Sequence, residues 1–212
     1  KNLSGKKKNI NPFDYSSDIY TDIMKTQALR EALDKYDFDF AIGGARRDEE
    51  KSRAKERIFS VRNSMHGWEP KYQRPECWEL FNLQINSKQK MRVFPLSNWT
   101  EIDIWNYIMQ EKIPIVDLYF AKKRPFVIRD NQIIMIDDKR FNLSKSEKVL
   151  KKNIRFRTLG CYPLTAGILS NANSLKKIIK ELFLSKKSER SGRIIDNDQE
   201  ASMEKKKLQG YF

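Results

Sequence analysis

The fold is decided by residues 38–57, which read FDFAIGGARRDEEKSRAKER. The first five residues predict a short strand that ends at Gly43 and Gly44, and a long charged helix is predicted over 45–62. Working outward, we predict a helix capped by Thr26, a second strand over 91–94 and a helix that opens at Thr100. Helix, strand, glycine-rich turn and helix in this order favour an α/β fold with a parallel sheet.

The two ends of the chain differ from this α/β portion. Residues 1–11 are polar and basic, which predicts a flexible lead-in. Two apolar runs, 126–128 and 133–136, flank a short polar turn and predict a hairpin. Ser174 is expected to cap a helix with an apolar stripe at Ile178, Ile179, Leu182 and Phe183, before a polar tail over 185–212. We therefore predict an α/β domain over 1–115 and a C-terminal region with hairpin, helix and tail over 116–212.

The composition excludes several classes of protein. Two Cys and one His among 212 residues exclude a disulfide scaffold, a four-thiolate cluster and a multi-histidine metal site, so no metal-ligating residue is predicted. The cysteine usage fits a reducing cytoplasm, and no apolar run approaches the length of a membrane span, so no membrane association is expected. Residues 1–11 are basic but contain no apolar core of the kind that a secretory signal carries, so no secretory signal is expected there.

The formal net charge of +14 predicts an anionic partner. Half of this charge lies in residues 139–157, where eight basic residues stand against one acidic residue. A lysine-rich composition without functional meaning is the alternative. Nucleic acid is not expected, because no zinc-finger or RNA-binding motif occurs and the basic residues of 46–57 alternate with carboxylates. A small anionic substrate fits this pattern better.

The strongest candidate site follows the predicted strand 38–42. On a helix, Arg46, Glu50, Arg53 and Arg57 share one face, with Arg47 and Lys51 beside them. Gly43 and Gly44 allow close approach of a ligand to the backbone, and the helix N-terminus offers amides to an anion. The alternative is a solvated helix with Glu–Arg pairs. The position favours a site, since open α/β sheets bind ligands at the carboxyl ends of their strands.

A second basic cluster occupies residues 155–165, RFRTLGCYPLT. Arg155 and Arg157 alternate with an aromatic residue before a Gly-Cys turn, which predicts an anion-facing loop. Cys161 is interpreted as a small buried thiol. A third cluster, residues 188–193 of the tail, is typical of a mobile terminus.

At these residues the sequence resembles the bacterial sulfate adenylyltransferase family, specifically its small catalytic subunit 2. The matching stretches are INPFD (10–14), TDIMKT (21–26), GGARRDEEKSRAKER (43–57), RVFPLSNWTE (92–101), RFRTLGCYPLT (155–165) and the tail 193–212. The resemblance implies an adenine-nucleotide α-hydrolase-like fold, with a parallel sheet flanked by helices. It also implies formation of adenylyl sulfate and pyrophosphate from sulfate and ATP with Mg²⁺. A GTPase partner, subunit 1, would couple GTP hydrolysis to this first step of sulfate assimilation and cysteine biosynthesis.

We expect Arg46 and Arg47 to face the sulfate or the transferring phosphoryl group, with Arg53, Arg57 and Lys51 behind them. Glu49 and Glu50 are expected to orient these side chains. Gly43, Gly44, Arg155 and Arg157 are predicted to bind substrate, the two arginines closing the site from the other side. These roles follow from charge and spacing, since attack by sulfate needs alignment and charge neutralisation and no deprotonation.

Two departures from the family patterns qualify this assignment. Related reductases place their catalytic Cys near the C-terminus, whereas no Cys follows Cys161 here, which argues against reductase chemistry. The family's N-terminal pyrophosphate loop and first strands have no counterpart in the sequence, so we expect the chain to match the family without its N-terminal third. An inactive fragment that only binds the GTPase subunit is therefore the alternative.

Overall fold

The computed structural model describes residues 2–49, 53–81, 83–87, 89–160, 162–185 and 210. It is a mixed α/β structure, as the sequence predicts. The helices are α1 (Leu3–Lys7), α2 (Ser17–Thr21), a π-helical stretch (Asp22–Gln27), α3 (Ala28–Tyr36), α4 (Glu101–Gln110) and α5 (Leu175–Leu184). The strands are β1 (Phe40–Ile42), β2 (Phe59–Arg62), β3 (Lys90–Val93), β4 (Lys122–Arg129), β5 (Gln132–Met135), β6 (Leu150–Arg155) and β7 (Ile168–Leu169).

The chain forms two compact units. Unit 1 contains residues up to 10 and 19–100, and unit 2 contains residues 11–18 and the chain from 101 through α5. The boundary between the two units in this part of the chain lies after Thr100, so α4 belongs to unit 2. The predicted division at residue 115 stays a prediction about folding domains.

Unit 1 is built on a three-stranded sheet in the order β1-β3-β2. Strands β1 and β3 are parallel, with Phe40 opposite Met91 and Ile42 opposite Val93, so the predicted parallel pair is confirmed. Strand β2 is antiparallel to β3. It was not predicted, because the charged run before it was extended as a helix through Arg62.

The predicted helix over 45–62 is wrong. In the described residues, the chain after β1 is irregular through Arg46, makes a 3₁₀ turn over Arg47–Glu49, and runs as β2 from Phe59. Residues 50–52 lie outside the described part of the chain. Charged residues with good helix propensity give way here to pairing of β2 with β3, because tertiary contacts override weak local preferences.

The N-terminal predictions also need correction. Residues 3–7 form α1 in place of a flexible lead-in, and the Asn2 side chain caps it by accepting from the Gly5 amide at 2.7 Å. Asn2 also donates to Glu31 on α3 at 3.0 Å. Thr26 caps nothing, since it lies within the π-helical stretch that leads into α3. Leu33 on α3 is buried as the spacing predicts.

Unit 2 contains an antiparallel sheet in the order β5-β4-β6-β7. The predicted hairpin is confirmed as β4 and β5, joined at Asp130 and Asn131, whose φ values of 47° and 58° suit a two-residue turn. The predicted helices α4 and α5 are confirmed and pack through a core that includes Trp105, Ile178 and Leu182. Phe183 is the exception to the predicted stripe, because 66% of its surface is exposed.

The polar tail from residue 186 to 209 lies outside the described residues, as do residues 211 and 212. Within the ranges that the structure describes, no helix combines the length and apolar character that crossing a bilayer requires.

Candidate functional site: an arginine-lined cleft in unit 1

A small cleft lies at the carboxyl end of β1. Its walls come from the loop after β1, the segment before β2 and the segment after β3: Ala45, Arg46, Arg47, Arg53, Glu56, Phe94 and Ser97. The empty space amounts to about 140 Å³, but no part is wide enough to hold a water molecule. A ligand must therefore displace side chains that fill the cleft in this structure. Three of the predicted arginines line one site, although no helix presents them.

The loop that carries these arginines is fixed at both ends by the sheet. The amide of Gly43 donates to the carbonyl of Val93 at 2.8 Å, which continues the β1–β3 pairing. The amide of Arg47 donates to the carbonyl of Ser97 at 2.9 Å. The loop is thus held against the end of β3, and Arg46 lies between these two anchors.

Arg47 is the best-anchored arginine of the cleft. Its Nε donates to the carbonyl of Glu56 at 3.1 Å, and its Nη1 donates to the side chain of Asn98 at 2.6 Å. Its Nη2 lies 3.6 Å from Glu76. With 31% of its side chain exposed, Arg47 keeps one face toward solvent.

Arg46 and Arg53 are buried and share a carboxylate. Glu49 lies 3.6 Å from Arg46 and 3.7 Å from Arg53. Arg53 also lies 3.6 Å from Glu56. These ion pairs are longer than a charge-assisted hydrogen bond of about 2.8 Å.

The inner face of the sheet adds two arginines that the motif analysis missed. Arg62 on β2 and Arg92 on β3 are 1% and 2% exposed. The Nη2 of Arg62 binds Glu56 closely, whereas its Nε and Nη1 have no hydrogen-bond partner among the residues that the structure describes. Burial lowers the pKa of Arg62, and burial together with the neighbouring Arg62 lowers the pKa of Arg92 to about 10.

The sequence itself contains a pattern that indicates Arg62 and Arg92 as candidate site residues. In IFSVR (58–62) and KMRV (90–93), charged side chains interrupt short apolar runs. A buried charge in a strand is rare without a partner, so it marks a candidate site. The helix predicted over 45–62 concealed this pattern for Arg62.

The cleft and the inner sheet face together hold excess positive charge. Among the residues that the structure describes there, five guanidinium groups (Arg46, Arg47, Arg53, Arg62, Arg92) stand against three carboxylates (Glu49, Glu56, Glu76). Asp48 and Arg57 add one charge of each sign at more exposed positions. Five against three leaves a surplus of two positive charges. Because burial makes uncompensated charge costly, such a cluster favours binding of a dianion.

The remaining predicted residues of unit 1 have mixed outcomes. Arg57 is half-buried, and its Nε has no hydrogen-bond partner within the described ranges. No atom lies within 4 Å of a Cβ built on Gly44, so space beside the backbone is open there. In the described residues after Arg46, a 3₁₀ turn over Arg47–Glu49 stands in place of the predicted α-helix N-terminus. Lys51 and Glu50 lie outside the described residues.

Arg155 and Arg157 are in unit 2, and each is paired with a glutamate. Arg155 is fully buried and donates through Nε and Nη2 to Glu181 at 3.0 and 2.6 Å. Arg157 binds Glu101 at the start of α4. Both arginines thus have a structural partner in their own unit, and their role in closing the substrate site stays a prediction. Cys161 and the cluster 188–193 lie outside the described residues.

Metal binding by the protein finds no support in the described part of the chain. No three His, Cys, Asp or Glu side chains gather there at metal-binding distance.

Comparisons with known proteins agree on one family. The phosphoadenosine phosphosulfate reductase domain model matches residues 1–167. The chain is 61% identical to sulfate adenylyltransferase subunit 2 of Rhizobium sp. (strain N33), over 211 residues that cover 100% of this chain and 70% of the relative. With the same coverage, it is 61% identical to the subunit 2 of Mesorhizobium japonicum and 60% identical to that of Trichlorobacter lovleyi.

Proposed function

The chain belongs to the sulfate adenylyltransferase subunit 2 family, and we propose that it transfers the adenylyl group of ATP to sulfate. A sulfate oxygen attacks the α-phosphorus of MgATP and forms the P–O–S bond of adenylyl sulfate. The bond between the α-phosphorus and the bridging oxygen breaks, and pyrophosphate leaves with the electron pair. Sulfate is already deprotonated at neutral pH, so no general base takes part.

The observation that carries this proposal is the arginine cluster of unit 1, in which five guanidinium groups at the cleft and on the inner face of the sheet stand against three carboxylates among the described residues. In-line attack brings a dianion against a polyphosphate, so the barrier is dominated by repulsion between negative groups. Preorganised donors in a site of low dielectric reduce that barrier more than donors in water. The arginine-lined cleft supplies such donors, and its lack of a metal cluster or thiol among the described residues is compatible with this chemistry.

We assign the roles from burial and anchoring. Arg46 and Arg53, which are buried and line the cleft, are the groups that bind sulfate or the α-phosphoryl oxygens. Arg47 is held by Asn98 and by the carbonyl of Glu56, so it presents a fixed guanidinium to the same anion. Gly44 has open space beside its backbone for a phosphate, and Gly43, Lys51, Arg57, Arg155 and Arg157 remain proposed contributors.

The test is sulfate-dependent release of pyrophosphate from MgATP by the chain with its partner subunit and GTP. Arg46→Ala should lower the turnover number by roughly a hundredfold, as removal of one oxyanion-stabilising donor does. Arg30→Ala, on α3 and outside the cleft, is the matched control and should keep the wild-type rate. A folded Arg46→Ala variant with normal turnover would refute the assignment.

Partner and location follow from the same proposal. The relatives are named as a subunit 2, which supports a partner subunit for this chain. We propose that this partner is a GTPase whose hydrolysis of GTP drives formation of the high-energy anhydride, and that the pair works in the cytoplasm. If the chain binds this partner but releases no sulfate-dependent pyrophosphate, the binding-only alternative holds.

A further inference from the structure

A second and larger cavity lies entirely within unit 2. Its volume is about 470 Å³, in the range of cavities that hold drug-sized ligands. The residues after Ile10 form one wall, the hairpin β4–β5 a second, and the segment around Pro163 a third. None of the arginines assigned to the cleft in unit 1 belongs to it.

Two of the stretches that carry the family resemblance meet at this cavity. INPFD contributes Pro12 and Phe13, and RFRTLGCYPLT contributes Pro163 and Leu164. The INPFD turn is rigid, because Asn11 Oδ1 accepts from the amides of Phe13 and Asp14 at 3.0 and 3.1 Å. Asn11 Nδ2 also donates to Asp14 at 2.7 Å. These hydrogen bonds fix the backbone at Phe13 before any ligand binds.

The apolar part of the lining is aromatic and well supported. The Phe13 and Phe141 rings pack edge to face, with centroids 6.3 Å apart. Arg140 lies over Phe13 at 5.1 Å, and Arg129 lies over Phe141 at 4.6 Å. Ile134 and Leu164 add aliphatic surface. Such a wall suits a flat aromatic ligand.

The charge of the cavity argues against a phosphate as the group bound inside it. Arg129 is the guanidinium in the lining, and Glu147 neutralises it with two hydrogen bonds, one of 2.9 Å. Its Nη2 also donates to the carbonyl of Asn142 at 2.6 Å. Asp18 and Asp130 add negative charge to the lining. The interior therefore favours a neutral group over a polyphosphate.

The polar lining matches the edges of a nucleoside. Gln132 and Asn142 carry amides that both donate and accept, which is what reading the edge of a base requires. Ser16, Ser17 and Asp18 supply hydroxyl and carboxylate oxygens. A carboxylate that accepts from ribose hydroxyls is a recurring feature of nucleotide sites.

The geometry points to a binding site for a purine nucleoside in unit 2, with the base against Phe13 and the ribose near Asp18. The nucleoside is either a free molecule or the nucleoside part of a nucleotide whose phosphates extend out of the open cavity. This inference stands apart from the proposed chemistry in unit 1, because it uses other residues and its test needs no turnover.

The test is saturation-transfer NMR with the 212-residue chain and adenosine, guanosine, cytidine and AMP as probes. We expect saturable binding of a purine nucleoside, with the strongest saturation at the base protons, and weaker binding of cytidine. Phe13→Ala should weaken binding about tenfold or more, as loss of a base-stacking ring does. Phe183→Ala, an exposed aromatic of unit 2 outside the cavity, is the matched control and should bind normally.

A second variant tests the site even if Phe13→Ala does not fold. Gln132→Met keeps the volume of the side chain on β5 and removes its amide, so binding should weaken several-fold while the melting temperature stays unchanged. If AMP binds as well as adenosine, the phosphate lies outside the cavity. This result and weaker binding by Gln132→Met both support the site. Absence of purine binding at millimolar concentration, or equal binding by Phe13→Ala and Phe183→Ala, overturns the inference even if the enzyme is active.

Discussion

Glu56 holds the arginine cluster of unit 1 together. Its carboxylate is buried, accepts from the Ser60 hydroxyl at 3.1 Å, and pairs with Arg62 on β2. It also lies 3.6 Å from Arg53, which lines the cleft. One carboxylate thus balances a structural arginine and a ligand-facing arginine. An anion that binds Arg53 would replace Glu56 as the partner of Arg53. The Glu56 carboxylate would then neutralise Arg62.

Replacement of the Glu56 carboxylate distinguishes its contribution to the stability of the fold from the effect of a bound anion. We expect Glu56→Gln to lower the free energy of unfolding in urea by about 3–5 kcal/mol, because Arg62 stays buried without its counter-charge. Sulfate should recover a large part of this loss, since the dianion returns negative charge to the cluster. Unfolding midpoints with and without sulfate, at matched ionic strength, measure both effects.

Glu181→Gln in unit 2 is the control for this experiment. It likewise removes the carboxylate partner of a buried arginine, Arg155, but it lies in the other unit. Its destabilisation should not be relieved by sulfate beyond the general effect of the salt on wild type. Equal recovery of both variants would show that sulfate acts nonspecifically, and the cleft would lose its role as an anion site.

The elements that sequence predicts well are those with strong local signals. Strands β1 and β3, helices α4 and α5, and the β4–β5 hairpin each carry periodic apolar residues or a defined turn. The failures involve long-range contacts. Strand β2 exists because β3 pairs with it, and α1 is stable because Asn2 binds Glu31 on α3. Arg62 and Arg92 were missed because their role depends on that pairing.

An ion pair joins Arg129, the last residue of β4, to Glu147, and it predicts a pH dependence of the stability of the fold. Hydrogen bonds from Arg129 and from the Ser144 amide lower the pKa of Glu147 to about 2, against an ordinary value of 4.5. Because the folded pKa is lowered, this pair stabilises the fold above pH 4.5, and the contribution is lost as the pH falls from 4.5 toward 2.

Glu147→Gln should therefore reduce the stability of the chain at pH 6, and the difference from wild type should shrink below pH 4.5. Urea unfolding followed by circular dichroism between pH 6 and pH 2.5 measures it. Glu111→Gln, an exposed glutamate just after α4, is the control and should follow wild type at every pH. A constant difference between Glu147→Gln and wild type across this range would contradict the linkage.

At the scale of the whole molecule, the net charge of +14 has a functional and a compositional interpretation. If the charge serves function, it attracts sulfate and ATP over distances longer than a contact. If it is compositional, only the arginines of the cleft matter. Lys151 and Lys152 on β6 are exposed members of the most basic segment, lie in unit 2 and do not belong to the lining of the cleft.

We expect the field to assist capture of substrate. Raising the ionic strength from about 0.01 M to about 0.15 M shortens the Debye length from about 30 Å to about 8 Å. The kcat/KM for sulfate should then fall severalfold while kcat stays constant, since the bound state is little screened. The double substitution of Lys151 and Lys152 by Gln should reduce this salt dependence and leave kcat unchanged. A double variant with the same salt dependence as wild type would show that the charge of this segment is compositional, because long-range attraction depends on the sum of the charges and removal of two must weaken it.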